Sequence, residues 1–120
     1  MTRWRAEVLL FGFDCTLIDS KVDIATAVNL TLGDLGLPLR SVAEIFSFVG
    51  DGVKRLLRLS VGEENPDQYD RALEVFRRHY LENCVQTTRW YPGIYEVLQH
   101  YKDRRKVIVT NKSLEYTLAI

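Results

Sequence analysis

The sequence predicts an α/β protein in which a small parallel sheet is combined with a larger group of helices. Two short apolar runs, residues 8–13 and 107–109, each change abruptly to polar residues. Open α/β sheets place their ligand sites at such carboxyl ends of strands. The segment between the runs repeats apolar residues at helical spacing. Because strands separated by helices favour parallel pairing, we expect the two runs to lie in one sheet.

The first run, residues 8–13, is predicted to be a buried strand that delivers a polar site. Its apolar side chains fall on both faces, which is typical of a strand covered on both sides. It is too short for the apolar region of a signal peptide, because Glu7 and Asp14 bracket only six residues. Asp14 also stands where a lipid-attachment signal at Cys15 would need a small residue. No stretch reaches the roughly twenty apolar residues of a membrane span.

Four segments between residues 20 and 87 carry apolar residues at helical spacing. Ser20 is placed to cap the first, and Ser41 with Glu44 has the form of a capping box at the second. Asn65, followed by a proline, fits the start of the fourth. The apolar positions of these predicted helices span residues 24–35, 45–48, 53–59 and 69–80. Four helices are too many for a single crossover, so we expect a separate helical subdomain inserted after the first strand.

The aromatic stripe of the fourth helix, which includes Phe76 and Tyr80, is interpreted as core packing, since any core-facing helix requires that spacing. Residues 107–109 are rich in β-branched side chains and predict the second strand. Residues 110–112 (Thr-Asn-Lys) follow it at once, repeating the pattern of the first strand. Ser113 is placed to cap a last helix.

Composition excludes several classes of function. Sixteen basic and sixteen acidic residues leave no net field that would attract nucleic acid or an anionic membrane, so neither is expected as a partner. Cys15 and Cys84, with His79 and His100, lack both the spacing of a zinc site and the density of a disulfide scaffold. A cytoplasmic location is therefore expected.

Four stretches together resemble the haloacid dehalogenase superfamily of phosphatases, most closely its phosphoglycolate-phosphatase-like branch with a helical cap. Residues 11–20 (FGFDCTLIDS) are similar to the family's first motif, F-D-x-D-G-T-L-x-D-S. Residues 109–112 (VTNK) resemble the second motif, in which a hydroxyl residue ends the next core strand. Residues 49–53 resemble the glycine-bearing substrate loop of the cap, and residues 91–94 resemble the segment that re-enters the core.

This resemblance implies a specific architecture. We expect one domain over residues 1–120 that contains the first two parallel strands of an incomplete Rossmann-like core. Residues 1–19 and 88–120 would form this partial core, and residues 20–87 would form the inserted helical cap.

The resemblance also implies a chemistry. In the family, the first aspartate of the first motif attacks phosphorus, and the aspartate two residues later acts as general acid and base. Mg²⁺ is held by the nucleophile, by the backbone carbonyl of the second aspartate and by acidic residues of a later motif. Here Asp14 matches the acid/base and the backbone metal contact, and Gly12 occupies the nucleophile position. The positions implied for binding phosphate or substrate are Thr110, Asn111, Lys112, Gly50 and Gly52.

Two departures from the family pattern bear on activity. Gly12 has no side chain with which to attack phosphorus, and Cys15 replaces a glycine where the backbone φ is expected to be unusual. The family's third-motif lysine and fourth-motif acidic pair are not found in these residues, which suggests truncation after the second motif. We therefore expect little or no phosphomonoesterase activity. A cysteine nucleophile at Cys15 with Lys21 is a poor alternative, because lysine lacks the bidentate geometry of arginine at a phosphate site.

Two functional hypotheses follow. The first is a phosphatase-type domain whose ligand is a small phosphorylated metabolite or anion, and the second is a non-catalytic oligomeric binding module derived from the same fold. In the family, later strands flank the first strand, and they are missing from this sequence. A two-stranded sheet with an open apolar edge is marginal alone, so we expect a homodimer that covers it.

Overall fold

The computed structural model describes residues 5–120, so the first four residues of the predicted core segment 1–19 lie outside it. Strands and helices alternate unevenly, because most of the helices lie between the second strand and the third. A short 3₁₀ helix, Pro66–Gln68, precedes the fourth α-helix. The elements are β1 (Val8–Phe11), β2 (Ile18–Asp19), α1 (Lys21–Asp34), α2 (Val42–Ser47), α3 (Val53–Val61), α4 (Tyr69–Asn83), β3 (Arg89–Trp90), α5 (Ile94–His100), β4 (Arg105–Ile108) and α6 (Leu114–Ala119).

The predicted parallel sheet is confirmed. Strands β1 and β4 pair in parallel, with Val8 opposite Arg105 and Phe11 opposite Ile108. Strand β4 begins two residues earlier than the apolar run 107–109, because ladder pairing extends to Arg105. The fold class is therefore the expected one, a partial α/β core of two parallel strands combined with an inserted group of helices.

The expectation that the first strand is buried on both faces is wrong for this chain. Leu9 and Phe11 are half-buried, whereas Val8 is 44% exposed and Leu10 is 68% exposed. Only the Phe11 side packs on a small apolar cluster, formed by Phe13, Leu17 and Ile18. A sheet of two strands has no second layer over its other face, so apolar side chains there remain in contact with water.

A second pair of strands, β2 and β3, escaped the sequence analysis. They pair antiparallel over two residues each, with Ile18 opposite Trp90 and Asp19 opposite Arg89. Two residues are too few to show the alternation that predicts a strand. The pair joins the two segments of chain that connect the sheet to the helices.

A buried carboxylate reinforces this connection. Asp23, 2% exposed at the start of α1, accepts hydrogen bonds from the backbone N–H groups and hydroxyls of Thr87 and Thr88, at 2.8 to 3.1 Å. Burial raises the pKa of the Asp23 carboxyl, but these hydrogen bonds outweigh burial and hold the pKa below its ordinary value. The Asp23 carboxylate therefore holds the start of α1 against the segment that leads from α4 to β3.

The main hydrophobic core lies among the helices. Val28 and Leu32 of α1 are fully buried, and Phe76 and Tyr80 of α4 are at most 2% exposed. The predicted apolar stripes on these two helices are therefore confirmed as packing surfaces. Tyr116 of α6 joins them, with its ring edge-on to Phe76 and Tyr80 at 5.9 and 5.2 Å between centroids.

The predicted helix caps differ in outcome. The Ser41 hydroxyl accepts from the backbone N–H of Glu44 at 3.1 Å, and the Ser113 hydroxyl caps α6 in the same way. Ser20 precedes α1 as predicted, but its hydroxyl donates to the Asp14 carboxylate instead of capping the helix. Asn65 also makes no side-chain cap. None of the helices in residues 5–120 is long and apolar enough to cross a membrane.

Candidate functional site

A cavity of about 350 Å³ lies between the loops that follow β1 and β4 and the helical part of the chain. All of the positions that the sequence analysis singled out as site residues line it, although they come from three separate segments. These positions are Gly12, Asp14, Gly50, Gly52, Thr110, Asn111 and Lys112. Their functional roles stay predictions, but the fold brings them to one place.

Asp14 is the acidic group of the cavity. Its carboxylate accepts a hydrogen bond from the Ser20 hydroxyl at 2.5 Å and is 3.1 and 3.2 Å from the Lys112 ammonium nitrogen. The side chains of Asp14 and Lys112 are 16% and 7% exposed, so this ion pair is largely withdrawn from water. An ion pair with so little solvent around it is screened weakly by salt.

Lys112 is held by a third group, the hydroxyl of Tyr80. The Lys112 ammonium donates to this hydroxyl at 2.7 Å and lies 4.7 Å from the centre of the Tyr80 ring. Burial lowers the pKa of the Lys112 ammonium, and the charge of Asp14 offsets this only in part. Burial, with the charge of Asp14, raises the pKa of the Tyr80 hydroxyl, which therefore remains a neutral acceptor.

Tyr80 is the site contact that the sequence analysis missed. Its place in an aromatic stripe predicted packing, and the ring does pack, 5.3 Å from Phe76. The hydroxyl contact with Lys112 joins residues that are 32 positions apart. Helical periodicity shows which face of α4 is buried, but it carries no information about what the end of a buried side chain touches.

Thr110 and Asn111 shape the loop that follows β4. The Thr110 hydroxyl oxygen accepts from the backbone N–H of Lys112 at 3.1 Å, so the loop turns back over its own threonine. The Asn111 side-chain amide donates to the carbonyl of Gly50 at 2.7 Å. This bond ties the loop after β4 to the loop between α2 and α3.

The two glycines of that helical loop are required by its conformation. Gly50 and Gly52 have φ values of 136° and 93°, which L-residues with a side chain rarely adopt. A Cβ at Gly52 would also lie 3.5 Å from the backbone oxygen of Asn111. The glycine-bearing loop at residues 49–53 therefore lies directly against the loop that follows β4.

Gly12 has a crowded position at the cavity. A Cβ built on Gly12 would lie 2.8 Å from the hydroxyl oxygen of Thr16, so a larger residue there requires Thr16 to rotate. Glycine supplies neither a nucleophile nor a metal ligand. Position 12, which the resemblance assigns to the nucleophile, therefore carries no side-chain oxygen that could attack phosphorus.

Cys15 confirms the expected unusual backbone conformation. It is the one described non-glycine residue with positive φ, at 66°. Partial burial raises the pKa of the Cys15 thiol, and the charges of Asp14 and Asp19 raise it further. Lys21, the lysine considered as its phosphate-binding partner, lies over the ring of Phe46 at 5.8 Å. A protonated thiol is a weak nucleophile, so this arrangement disfavours the cysteine alternative.

The side chains around Asp14 do not fit the Mg²⁺ site that the family resemblance implies. Gly12 offers no oxygen ligand from its side chain, which leaves the backbone carbonyl of Asp14 as the contact that the first motif could still supply. Residues 5–120 contain no group of three histidine, cysteine or acidic side chains placed to hold a metal ion. Mg²⁺ prefers several oxygen ligands in octahedral geometry.

Comparisons with known proteins agree with this geometry. Residues 9–119 match the family model described as haloacid dehalogenase-like hydrolase. The chain is 39% identical over 115 residues to a phosphoglycolate phosphatase of Aquifex aeolicus (strain VF5), covering 94% of this chain and 53% of that protein. A phosphoglycolate phosphatase of Nitrosococcus oceani is 34% identical over 118 residues, covering 92% of this chain and 52% of its own length.

A solved structure shows the same arrangement of elements. The crystal structure of a predicted phosphoglycolate phosphatase from Haemophilus somnus 129pt superposes with a TM-score of 0.85 at 26% identity. The match covers 92% of this chain and 53% of that one. The chain thus spans about half the length of the curated relatives it matches.

Proposed function

Because the chain belongs to the haloacid dehalogenase-like hydrolase family, we propose that it is a phosphatase-type domain that binds a small phosphorylated ligand and hydrolyses it little or not at all. Residues 20–87 act as the cap over a partial core made of residues 1–19 and 88–120. The observation that carries the proposal is that Asp14, Thr110 and Lys112 line the same cavity.

The cavity offers donors suited to phosphate oxygens. The Thr110 oxygen already accepts from the Lys112 backbone, which leaves its hydroxyl hydrogen to donate. The Asn111 amide uses one hydrogen for Gly50 and has a second. The Lys112 ammonium supplies the positive charge, and a bound anion would share it with Asp14. These groups favour binding of an oxyanion without requiring a metal.

Hydrolysis fails at its first step. The family route forms a covalent bond between phosphorus and an aspartate oxygen, and Gly12 has no such oxygen. Asp14 lies where an acid or base is needed, but it has no covalent intermediate to act upon. Losing the nucleophile of a catalytic unit costs several powers of ten in rate. A catalytically impaired site that still binds its ligand is the result.

The test is an assay of a generic phosphomonoester with Mg²⁺, using the unmodified chain, Gly12→Asp and Gly12→Asn. Because a Cβ at Gly12 approaches Thr16, Gly12→Asp is also combined with Thr16→Ala to relieve the contact. We expect no turnover by the unmodified chain or by Gly12→Asn. Turnover by the unmodified chain would contradict the proposed impairment. Turnover confined to the aspartate variants would show that position 12 is the missing element.

Binding is measured separately by titrating inorganic phosphate into the ¹⁵N-labelled chain. Shifts of the backbone N–H resonances of Thr110 and Lys112 are expected, and Thr110→Val should weaken them by removing the hydroxyl donor while keeping the shape of the side chain. The absence of any shift at millimolar phosphate would contradict ligand binding at this cavity.

One observation favours the second candidate function, a non-catalytic module that associates with a second copy of itself. Leu10 on β1 and Val109 after β4 are 68% and 62% exposed, next to open strand edges. Contiguous exposed apolar surface of this kind marks interaction sites. Leu10 does not line the cavity, whereas Val109 does, so the exposed sheet face adjoins the cavity at Val109.

A further inference from the structure

We propose that the cavity selects a phosphomonoester whose organic part is uncharged and apolar, and that it disfavours a ligand carrying a second anionic group. The inference rests on the proposed function, since it assumes that the phosphoryl group binds near Lys112. It differs from what the relatives' names suggest, because phosphoglycolate carries a carboxylate in addition to its phosphate.

The first argument is the charge of the cavity walls. Among the described residues that line it, the charged ones are Asp14 and Lys112, which form an ion pair at 3.1 Å. The Lys112 ammonium also donates to Tyr80. A phosphoryl group would occupy this cation completely, and the described walls hold no other. A second anionic group would therefore enter without a counter-charge.

The second argument is the character of the remaining walls. They are built mainly from aliphatic and aromatic side chains contributed by α1, α3, α4 and α6 and by the loop before α3. These side chains are Ile24, Val49, Val53, Leu56, Phe76 and Tyr116. A carboxylate placed against the aliphatic part of these walls loses its hydration and gains no counter-charge, which is strongly unfavourable. An alkyl or aryl group placed there gains from the same burial.

The third argument concerns two cations that follow lining residues in the sequence or lie in the same helix, Lys21 in α1 and Arg55 in α3. Lys21 lies over the ring of Phe46 at 5.8 Å, and Arg55 donates to the Asp51 carboxylate at 2.9 Å. Neither Lys21 nor Arg55 lines the cavity, and each already has a partner. Selectivity is thus set by side chains of the helical region, while phosphate recognition is set by the strand ends.

The experiment compares three probes on the full chain by calorimetry at constant ionic strength: inorganic phosphate, 2-phosphoglycolate and propyl phosphate. We expect propyl phosphate to bind about tenfold more tightly than 2-phosphoglycolate, because its methylenes are buried and it brings no second charge. Equal or tighter binding of 2-phosphoglycolate would overturn the inference. If inorganic phosphate and both esters all fail to bind, the proposed function itself is wrong and the inference falls with it.

A pair of variants at Val53 provides the matched control. Val53 is a half-buried wall residue in the first turn of α3, so a longer side chain there can extend along the cavity. Val53→Arg supplies the missing cation and should raise the affinity for 2-phosphoglycolate relative to propyl phosphate by about tenfold. Val53→Gln adds a polar chain without charge and should leave the ratio unchanged. An equal shift in both variants, or none in Val53→Arg, would contradict the charge argument.

Discussion

Position 15 shows how one residue departs from what its backbone requires. Cys15 has a φ of 66°, a region in which a Cβ clashes with the neighbouring carbonyl and costs roughly 1–2 kcal/mol. Glycine adopts this conformation freely but loses more entropy on folding. We expect Cys15→Gly to raise the free energy of unfolding by about 1 kcal/mol, measured by urea denaturation. Cys15→Ala keeps the Cβ and should not raise the free energy of unfolding. An equal rise in Cys15→Ala would show that the thiol group destabilises the fold, and not the positive φ.

Asp23 is the residue whose ionisation most directly supports the connection between sheet and helices. Its pKa is lower in the folded chain than in the unfolded chain, so ionised Asp23 stabilises the fold at pH values above its unfolded pKa. This contribution is lost as the pH falls through the folded pKa. We expect unfolding free energy to decrease between about pH 5 and pH 2.

The variant Asp23→Asn tests this assignment. It replaces one of the two acceptor oxygens with an NH2 group, which cannot accept from Thr87 or Thr88, and it removes the charge; this should cost about 2–3 kcal/mol at pH 7. Its stability should also depend less on pH below pH 5 than that of the unmodified chain. If the two chains keep the same acid dependence, other carboxylates are responsible.

At the scale of elements, local capping patterns predicted some helix starts and failed at others. Ser41 caps α2 as its spacing to Glu44 predicts, because both partners lie in one turn. Ser20 makes no side-chain cap on α1: its backbone, with φ of −110° and ψ of 4°, is not in the extended conformation of a capping residue, and its hydroxyl donates to Asp14. A capping pattern therefore locates the start of a helix better than it predicts the capping hydrogen bond, which Asn65 also lacks.

Replacing the caps separates these two roles. Ser41→Ala should lower the free energy of unfolding by about 1 kcal/mol, because a backbone N–H of α2 loses its acceptor. Thermal unfolding followed by circular dichroism measures the loss. Ser41→Asp, which retains an acceptor, should restore most of it. A loss of the same size in Ser41→Asp would point to packing rather than capping.

At the scale of the molecule, the sheet is incomplete and the helical core is not. The buried residues of α1, α3 and α4 form one cluster, whereas β1 and β4 expose apolar side chains beside open edges. We expect two copies to associate through this face, since association pairs the backbone groups of the open edge with those of a second chain and buries exposed apolar side chains. Light scattering after size exclusion at micromolar concentration should show a dimer.

Leu10 and Leu39 provide a matched pair for this prediction. Leu10 lies on β1 and is 68% exposed, and Leu39 lies between α1 and α2 and is 65% exposed. Leu10→Lys should give a monomer, because it places a charge in the proposed interface, while Leu39→Lys should remain dimeric. A monomer for the unmodified chain, or equal behaviour of both variants, would contradict association through the sheet.

The sequence by itself determined the order of the main elements, the parallel pairing, most helix starts and the positions that line the cavity. These follow from patterns within a few residues, such as apolar spacing and the polar residues that end each strand, and from the resemblance of four short motifs to one family. The glycine at position 12 was equally visible, because the absence of a side chain needs no structure to be recognised.

Only the tertiary structure decided which residues of the site contact one another. The Asp14–Lys112 pair joins residues 98 positions apart, and Tyr80 reaches Lys112 from a helix whose pattern indicated packing alone. The hydrogen bonds of Asp23 with Thr87 and Thr88, and the pairing of β2 with β3, likewise join distant segments. Such contacts depend on where the chain returns in space, and no local pattern records that, so the partner of each buried polar group had to be observed.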